Sequence, residues 1–214
     1  MCNEYRVAWV GGEWVWLHRG IGGGETPAGS ADRFPDITGQ QYGFHVFPDR
    51  LAPVVRLEND GKPEIVEMRW GFPSPQPGGR PVTNVRNLTS PYWRNWLKPE
   101  FRCLVPISEF CEFTETTPKT RKWFKLRDDT PFMFAGIWRK WTGVRGTKAA
   151  PVEGEHLVFA FLTCTPNKTV GAIHPKAMPV MLKREQWMDW LTAPVAGAMS
   201  MAEPFPDEEM AEPT

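Results

Sequence analysis

The chain lacks the features that mark membrane, secreted and metal-binding proteins. No stretch approaches the roughly 18 apolar residues of a membrane-spanning helix. The first residues show no basic segment followed by an apolar one, so we expect no secretion signal. Only four cysteines occur in 214 residues and none forms a CxxC pair, which argues against a zinc site or a disulfide framework. We therefore expect a cytoplasmic protein without a metal and without a membrane partner.

A net charge is also missing, because 25 basic side chains balance 25 acidic ones. This balance argues against a generic polyanion binder. The charges are nevertheless unevenly distributed. Residues 203–214 contain five acidic and no basic side chains, whereas residues 68–99 and 116–127 each contain five basic and no acidic ones. The two basic segments either line a phosphate-binding surface or form a solvated face.

Proline, glycine and large aromatic residues are abundant. The chain has 22 prolines and 19 glycines, which argues against long helices, and its 11 tryptophans and 13 phenylalanines favour short strands around aromatic anchors. We predict strands at residues 7–10, 14–17, 53–57, 64–70, 103–107, 123–126, 132–138, 156–165 and 178–182, and helices at 91–98 and 184–191. The prediction is a β-rich α+β domain over residues 1–192, followed by a mobile acidic tail at 193–214.

The first two residues carry the most distinctive chemistry. Methionine is usually removed before a small residue, so we expect Cys2 to become the mature N-terminus. An α-amine with a pKa of about 7.7–8.0 is partly neutral in the cell and attacks aldehydes to form a Schiff base. The adjacent thiol then closes a thiazolidine ring, which no interior cysteine can do because its nitrogen is an amide. The alternative is that position 2 is an ordinary cysteine.

Several short motifs follow Cys2 in a fixed order. They are MCN at 1–3, WGFP at 70–73, TNVR at 83–86, PISEFCEF at 106–113, AGIW at 135–138, TCTPN at 163–167 and IHPKAMPV at 173–180. This ordered set resembles the SOS-response-associated peptidase (SRAP) family across residues 1–192. The resemblance implies a single β-rich α+β domain with a barrel-like mixed sheet, short helices and irregular loops.

The resemblance also implies a function. Members of the family bind single-stranded DNA and capture abasic sites through the N-terminal cysteine, forming a thiazolidine DNA–protein crosslink that shields the lesion. We therefore expect a monomer that associates with the nucleoid when it binds DNA with abasic sites, needs no cofactor, and has possible lyase and self-processing peptidase activity. Two alternatives are a cysteine hydrolase in which Cys2 attacks an amide and a non-catalytic single-strand binding module.

Four residues match the catalytic positions of the family. Cys2 is the nucleophile, and Asn84 orients it by hydrogen bonds. Glu112 is the acid–base group for Schiff-base formation, with Glu109 as a rival three residues earlier. His174 opens the sugar and moves protons during ring closure. We expect Glu112 and His174 to lie beside Cys2 in a cleft wide enough for one nucleic-acid strand.

Three further residues are predicted to bind DNA. Arg86 contacts a phosphate next to the lesion, Thr163 matches a family position near the bound strand, and Trp70 stacks on a base unless it belongs to the core.

The sequence also departs from the family pattern. Asn3-Glu4 stands where Gly-Arg is common, so an acid replaces a basic side chain beside the nucleophile. Leu88 and the segment 75–79 are further departures.

Overall fold

The computed structural model describes residues 2–8, 43–76, 78–130 and 132–214. In chain order the strands are β1 (Glu4–Ala8), β2 (Gly43–Val46), β3 (Leu51–Leu57), β4 (Pro63–Trp70), β5 (Asn84–Val85), β6 (Arg102–Ile107), β7 (Glu109–Phe113), β8 (Arg121–Phe124), β9 (Phe132–Thr147), β10 (Ala150–Cys164), β11 (Met178–Pro179) and β12 (Met181–Leu182). The short helices are α1 (Lys168–Gly171), α2 (Trp187–Thr192) and α3 (Val195–Met199). Single 3₁₀ turns occupy Pro99–Phe101, Arg184–Gln186 and Asp207–Glu209.

Five strands close into a barrel. The neighbours run in the order β10, β4, β3, β6 and β9, and β9 pairs with β10 again. β10 is parallel to β4, and the other pairs around the barrel are antiparallel, so the sheet is mixed. The near-continuous apolar runs in β9 and β10 are typical of strands covered on both faces. The predicted fold class, a barrel-like mixed sheet with short helices, is confirmed.

A second, four-stranded antiparallel sheet carries the N-terminus. Its order is β2, β1, β7 and β8, and the register places Glu4 opposite Cys111. Aromatic side chains from this sheet, including Tyr5, Phe110 and Phe124, pack into one core cluster with Phe134 and Phe161 of the barrel. The pairing of β1 with β7 brings the start of the chain next to the strand that carries Glu112.

The other face of the barrel strands packs against α2. Trp187, Trp190 and Leu191 of this helix are buried in a second core cluster with Leu104 and Ile137. This is the apolar face that the sequence predicts for residues 184–191. No helix within the described residues is long and apolar enough to cross a bilayer.

Local sequence signals predict some elements and miss others. The hairpin around Asp60 and Gly61 is confirmed, with Gly61 at a positive φ of 82°. The helix predicted at 91–98 is wrong, because this segment forms a series of turns. Most of its backbone bonds join residues three apart, as from the Arg94 amide to Pro91 O and from the Trp96 amide to Trp93 O, which is the pattern of successive turns. Part of the strand predicted at 7–10, and all of the one at 14–17, lie outside the described residues.

The acidic segment after residue 192 packs on the domain, which corrects the predicted mobile tail. Phe205 and Met210 are buried in the core cluster of the four-stranded sheet. The backbone of Met210 forms a bridge with Leu126, and that of Thr214 exchanges hydrogen bonds with Trp123. Two buried apolar anchors and added backbone pairs therefore outweigh the acidic, proline-rich composition of this segment.

Candidate active site at the amino terminus

Asn84 anchors the backbone of Cys2. β5, which begins with Asn84, pairs with Phe161 and Leu162 of β10. The Asn84 side-chain amide donates hydrogen bonds to the Cys2 carbonyl (2.9 Å) and to Thr83 Oγ1 (2.8 Å). Its Oδ1 is buried and has no hydrogen-bond partner among the described residues. An unused acceptor therefore remains in a side chain already bonded to Cys2.

Glu112 lies on β7, and its side chain is only 2% exposed. Burial raises the pKa of this carboxyl to about 7, against the opposing positive charge of the amino terminus. The protonated and ionised forms are therefore both populated near neutral pH. Such a group can donate a proton and accept one within a single reaction.

His174 lies beside Glu112, with 4.0 Å between Nδ1 and the carboxyl Oε2. Its position depends on α1, because the His174 amide donates to Val170 O, and Asn167 caps that helix through a bond to the Val170 amide. Burial, followed by the positive amino terminus and Lys176, lowers the pKa of His174. Both shifts favour the neutral forms, so the contact is not a strong ion pair.

The thiol of Cys2 is buried, and Cys2 is only 1% exposed. Its Sγ donates to the Glu4 carbonyl at 3.4 Å. Burial, together with the nearby negative charge of Glu112, raises the pKa of the thiol well above its usual value. The prediction of an open cleft at Cys2 is therefore wrong for this chain, in which Met1 precedes Cys2 and the thiol packs within the core.

The side chain of Glu4 ties β1 to two other strands, a role that the sequence did not reveal. Its buried carboxylate lies 2.7 Å from His45 Nδ1 on β2 and 3.1 Å from Arg121 Nε on β8. Arg6 Nε donates to His45 Nε2 at 2.6 Å, so Nδ1 is the ring nitrogen that faces the Glu4 carboxylate. The departure from Arg at position 4 thus provides a carboxylate that holds the strand leading out of Cys2.

The register of β1 and β7 decides between the two candidate carboxylates. Glu109 lies opposite Arg6 and accepts a 2.6 Å hydrogen bond from its guanidinium. Residues three apart on a strand face opposite sides, so Glu112 and Glu109 lie on different faces of β7. Glu112 is the one whose charge acts on Cys2.

The three predicted DNA contacts differ in position. Arg86 is exposed and its guanidinium donates to the Lys176 carbonyl, near His174. Trp70 is fully buried, donates to the Thr83 carbonyl and stacks on Phe161, so it is a core residue. Thr163 is buried, and its hydroxyl donates to Val85 O. Trp70 and Thr163 therefore support the segment that carries Asn84 and offer no surface to a strand, which corrects both predictions.

The described residues contain no cluster of three or more His, Cys, Asp or Glu that could hold a metal ion. A groove of about 910 Å³ lies elsewhere, between the β3–β4 turn and α2, and is lined by Arg56, Trp138 and Arg102 among others. None of the residues around Cys2 borders this groove. The chemistry described above therefore belongs to the amino-terminal site and not to the large groove.

Comparisons with known proteins identify the family of this chain. A model of the SOS response associated peptidase family matches residues 28–212. The chain is 29% identical over 147 residues to the abasic site processing protein YoqW of Bacillus subtilis, an alignment that covers 64% of this chain and 62% of that protein. It is 28% identical over 166 residues to YoaM of the same organism, with 71% of this chain and 66% of that protein covered. The chain thus spans less than two thirds of the length of YoqW.

Solved structures resemble the whole fold. A protein from Bordetella bronchiseptica superposes with a TM-score of 0.70 over 98% of this chain and 97% of the other. One from Bacteroides thetaiotaomicron gives a TM-score of 0.72 over 98% and 90%. Both are 20% identical to this chain, so the likeness concerns the fold.

Proposed function

The chain belongs to the SRAP family, and from that premise we propose that it binds single-stranded DNA and captures abasic sites covalently through Cys2. The curated relatives are named abasic site processing proteins. The observation that carries the proposal is the buried Glu112, whose pKa is about 7 and which lies beside both Cys2 and His174. Schiff-base chemistry near neutral pH needs an acid of this strength next to the amine.

The first step is attack by the Cys2 amine. Removal of Met1 converts the Cys2 nitrogen from an amide to a free amine. The neutral amine adds to the C1′ aldehyde of the ring-opened sugar and forms a carbinolamine. Protonated Glu112 donates its proton to the carbinolamine hydroxyl, which leaves as water, and the nitrogen keeps its own proton as an iminium. The ionised Glu112 then takes this proton back, so a neutral Schiff base remains and Glu112 is protonated again. Asn84 keeps the Cys2 backbone in place during this step through its bond to the carbonyl.

The second step is ring closure by the thiol. The Cys2 thiol adds across the imine bond, so its sulfur bonds to C1′ and its proton passes to the nitrogen. The thiol is protonated before the reaction because its pKa is raised. Neutral His174 can accept this proton from the thiol and pass it to the nitrogen of the new thiazolidine ring. His174 is then neutral again. The product is a thiazolidine, and the reaction needs no cofactor.

The rival reaction, hydrolysis of an amide by a Cys2 thiolate, fits this environment less well. Cysteine nucleophiles in hydrolases have lowered pKa values. The shift at Cys2 goes in the opposite direction, because the site is buried and negatively charged. Thiazolidine formation does not need a preformed thiolate, because the amine reacts first and the thiol then adds to an activated imine.

Burial of Cys2 implies that access must open before DNA is captured. We expect the mature chain without Met1 to react and the chain that retains Met1 to be inert, since only the mature chain has the free amine. Intact-mass spectrometry of both forms, each mixed with single-stranded DNA carrying one abasic site, separates these outcomes. An adduct formed by the Met1-bearing chain would contradict the proposed chemistry.

The central experiment compares three substitutions. Cys2→Ala removes the thiol, and we expect no heat-stable adduct. Cys2→Ser also lacks the thiol but keeps a hydroxyl, so only a Schiff base that borohydride can trap should form. Cys111→Ala, at a buried thiol on β7, serves as the matched control and should leave capture intact. A stable adduct formed by Cys2→Ala would remove the Cys2 thiol from the mechanism, and turnover of a peptide panel would favour the hydrolase.

A further inference from the structure

An exposed carboxylate, that of Glu115, lies among the basic side chains near His174. Residues 68–99, 116–127 and 168–183 contain no acidic side chain, and the first and third carry Arg86, His174 and Lys176. Glu115 directly precedes the second segment. Its Oε1 lies 3.8 Å from Lys176 Nζ, and the two side chains are 60% and 65% exposed.

The backbone on both sides of this pair is held by hydrogen bonds. Arg86 donates to the Lys176 carbonyl, which connects the loop after His174 to β5. On the other side, the turn between β7 and β8 is closed by the Thr114 amide bond to Thr120 O, at 3.0 Å, and by the contact between the Thr114 and Thr116 hydroxyls, at 2.7 Å. Glu115 is therefore presented to Lys176 by an ordered turn. The charges of Lys176, Glu115 and Arg86 all act on the pKa of His174, which places the pair close to the proposed site.

A phosphate bound to Lys176 would compete with the Glu115 carboxylate for the same ammonium group. Building on the proposed function, we propose that Lys176 contacts a phosphate of the DNA backbone and that Glu115 occupies this phosphate position in the free protein until DNA displaces it. Exposed ion pairs are weak, so a polyanion can displace the carboxylate. Glu115 then reduces the affinity for DNA, because each strand that binds must displace the carboxylate from Lys176. Strands that make more contacts elsewhere on the protein offset this cost.

The test measures binding separately from capture. A short fluorescent oligothymidylate without an abasic site reports affinity by anisotropy. Glu115→Gln should tighten binding by about threefold to fivefold, since exposed pairs contribute little. Lys176→Gln should weaken binding and reduce the slope of log affinity against log salt by about 0.7, the loss of one phosphate contact on a single strand.

The chain offers a matched control for the general effect of removing a negative charge. Glu155 lies 3.4 Å from Lys140, with side-chain exposures of 59% and 65%, on the β9–β10 hairpin. Glu155→Gln makes the same change in net charge, and we expect less than a twofold effect on binding. Equal gains from Glu115→Gln and Glu155→Gln would show that only net charge matters and would overturn the proposal.

A double substitution tests the pairing itself. In the Lys176→Gln background, Glu115→Gln should no longer tighten binding, because no cation remains for the carboxylate to cover. A gain that persists there, or no oligothymidylate binding by any variant, would overturn the proposal. Capture of abasic DNA is scored in parallel, so a protein that binds as expected but forms no adduct rejects the proposed function and leaves this inference standing.

Discussion

Two buried charged centres in this molecule show how burial can produce either a fixed support or a reactive group. Arg102, on β6, donates to the carbonyls of Leu97, Trp190 and Ala193 and thereby joins β6 to the end of α2. Burial lowers its pKa to about 10. Glu112 sits by the amino terminus, where burial raises its pKa to about 7. Desolvation is the main cause of both shifts, and each favours the neutral form.

The difference lies in where the shifted pKa falls. At neutral pH Arg102 remains charged and keeps donating to three carbonyls, so it acts as a permanent link. Glu112 is close to half protonated and has a neutral histidine at 4.0 Å, so a proton can be exchanged. Burial alone therefore does not identify an active residue. A buried group whose pKa lies near the working pH, next to a second titratable group, is the stronger candidate.

The largest expected effect is on the rate of DNA capture when Glu112 is substituted. Glu112→Gln keeps the shape of the side chain but cannot donate an acidic proton, so capture of abasic DNA should slow by about 10²-fold to 10³-fold. Single-turnover gel assays would measure this rate. Glu109→Gln, three residues earlier and paired with Arg6, is the matched control and should stay within about threefold of wild type. Equal slowing by both substitutions would reject the assignment of Glu112.

The second prediction concerns the other centre, Arg102, and is measured as a change in the free energy of unfolding. Arg102→Met removes the donors of three buried carbonyls, and we expect a loss of about 3 kcal/mol in the free energy of unfolding in urea. Arg56→Met, which breaks the partly exposed pair with Glu64, should cost about 1 kcal/mol or less. The folded fraction of the Arg102 variant should capture DNA at the wild-type rate. A selective loss of capture would show that Arg102 also supports the site.

The smallest effect is a pH dependence of stability. The folded-state pKa of Glu112 is about 7 and its ordinary value is 4.5, so the folded protein holds this proton more tightly. The contribution is fully present below pH 4.5 and is lost as the pH rises through 7. Glu112→Gln removes it, so the stability of this variant relative to wild type should rise between pH 5 and 8, by at most about 3 kcal/mol. Urea titrations at both pH values test the sign, and a constant difference would contradict the raised pKa.

The sequence predicts which residues meet at the site better than it predicts their surroundings. Its motifs indicate Cys2, Asn84, Glu112 and His174, and the structure brings these four residues together. Trp70 was ambiguous, because a tryptophan that stacks on a base and one that fills a core have the same local context. Only the packing of Trp70 against Tyr5 and Phe161 assigns it to the core.

Non-local pairing explains what the sequence missed. Glu4 and His45 are 41 residues apart, and nothing near either of them in the chain predicts their contact. The acidic composition around Phe205 and Met210 predicts a mobile tail, yet these two apolar side chains are buried and pack the segment on the domain. Composition averages over residues, whereas packing depends on where each one lies.

By itself, the sequence determined which groups are candidates for the proposed reaction: the amine and thiol that Cys2 would carry after removal of Met1, and an acid and a histidine in recognisable motifs. It also determined the alternation that places Glu109 and Glu112 on opposite faces of a strand. Only the tertiary structure decided which of these faces is buried beside Cys2 and how far its pKa moves. Bonds and side-chain periodicity are local, but the solvent exclusion and charge that tune a pKa arise from segments far apart in the chain.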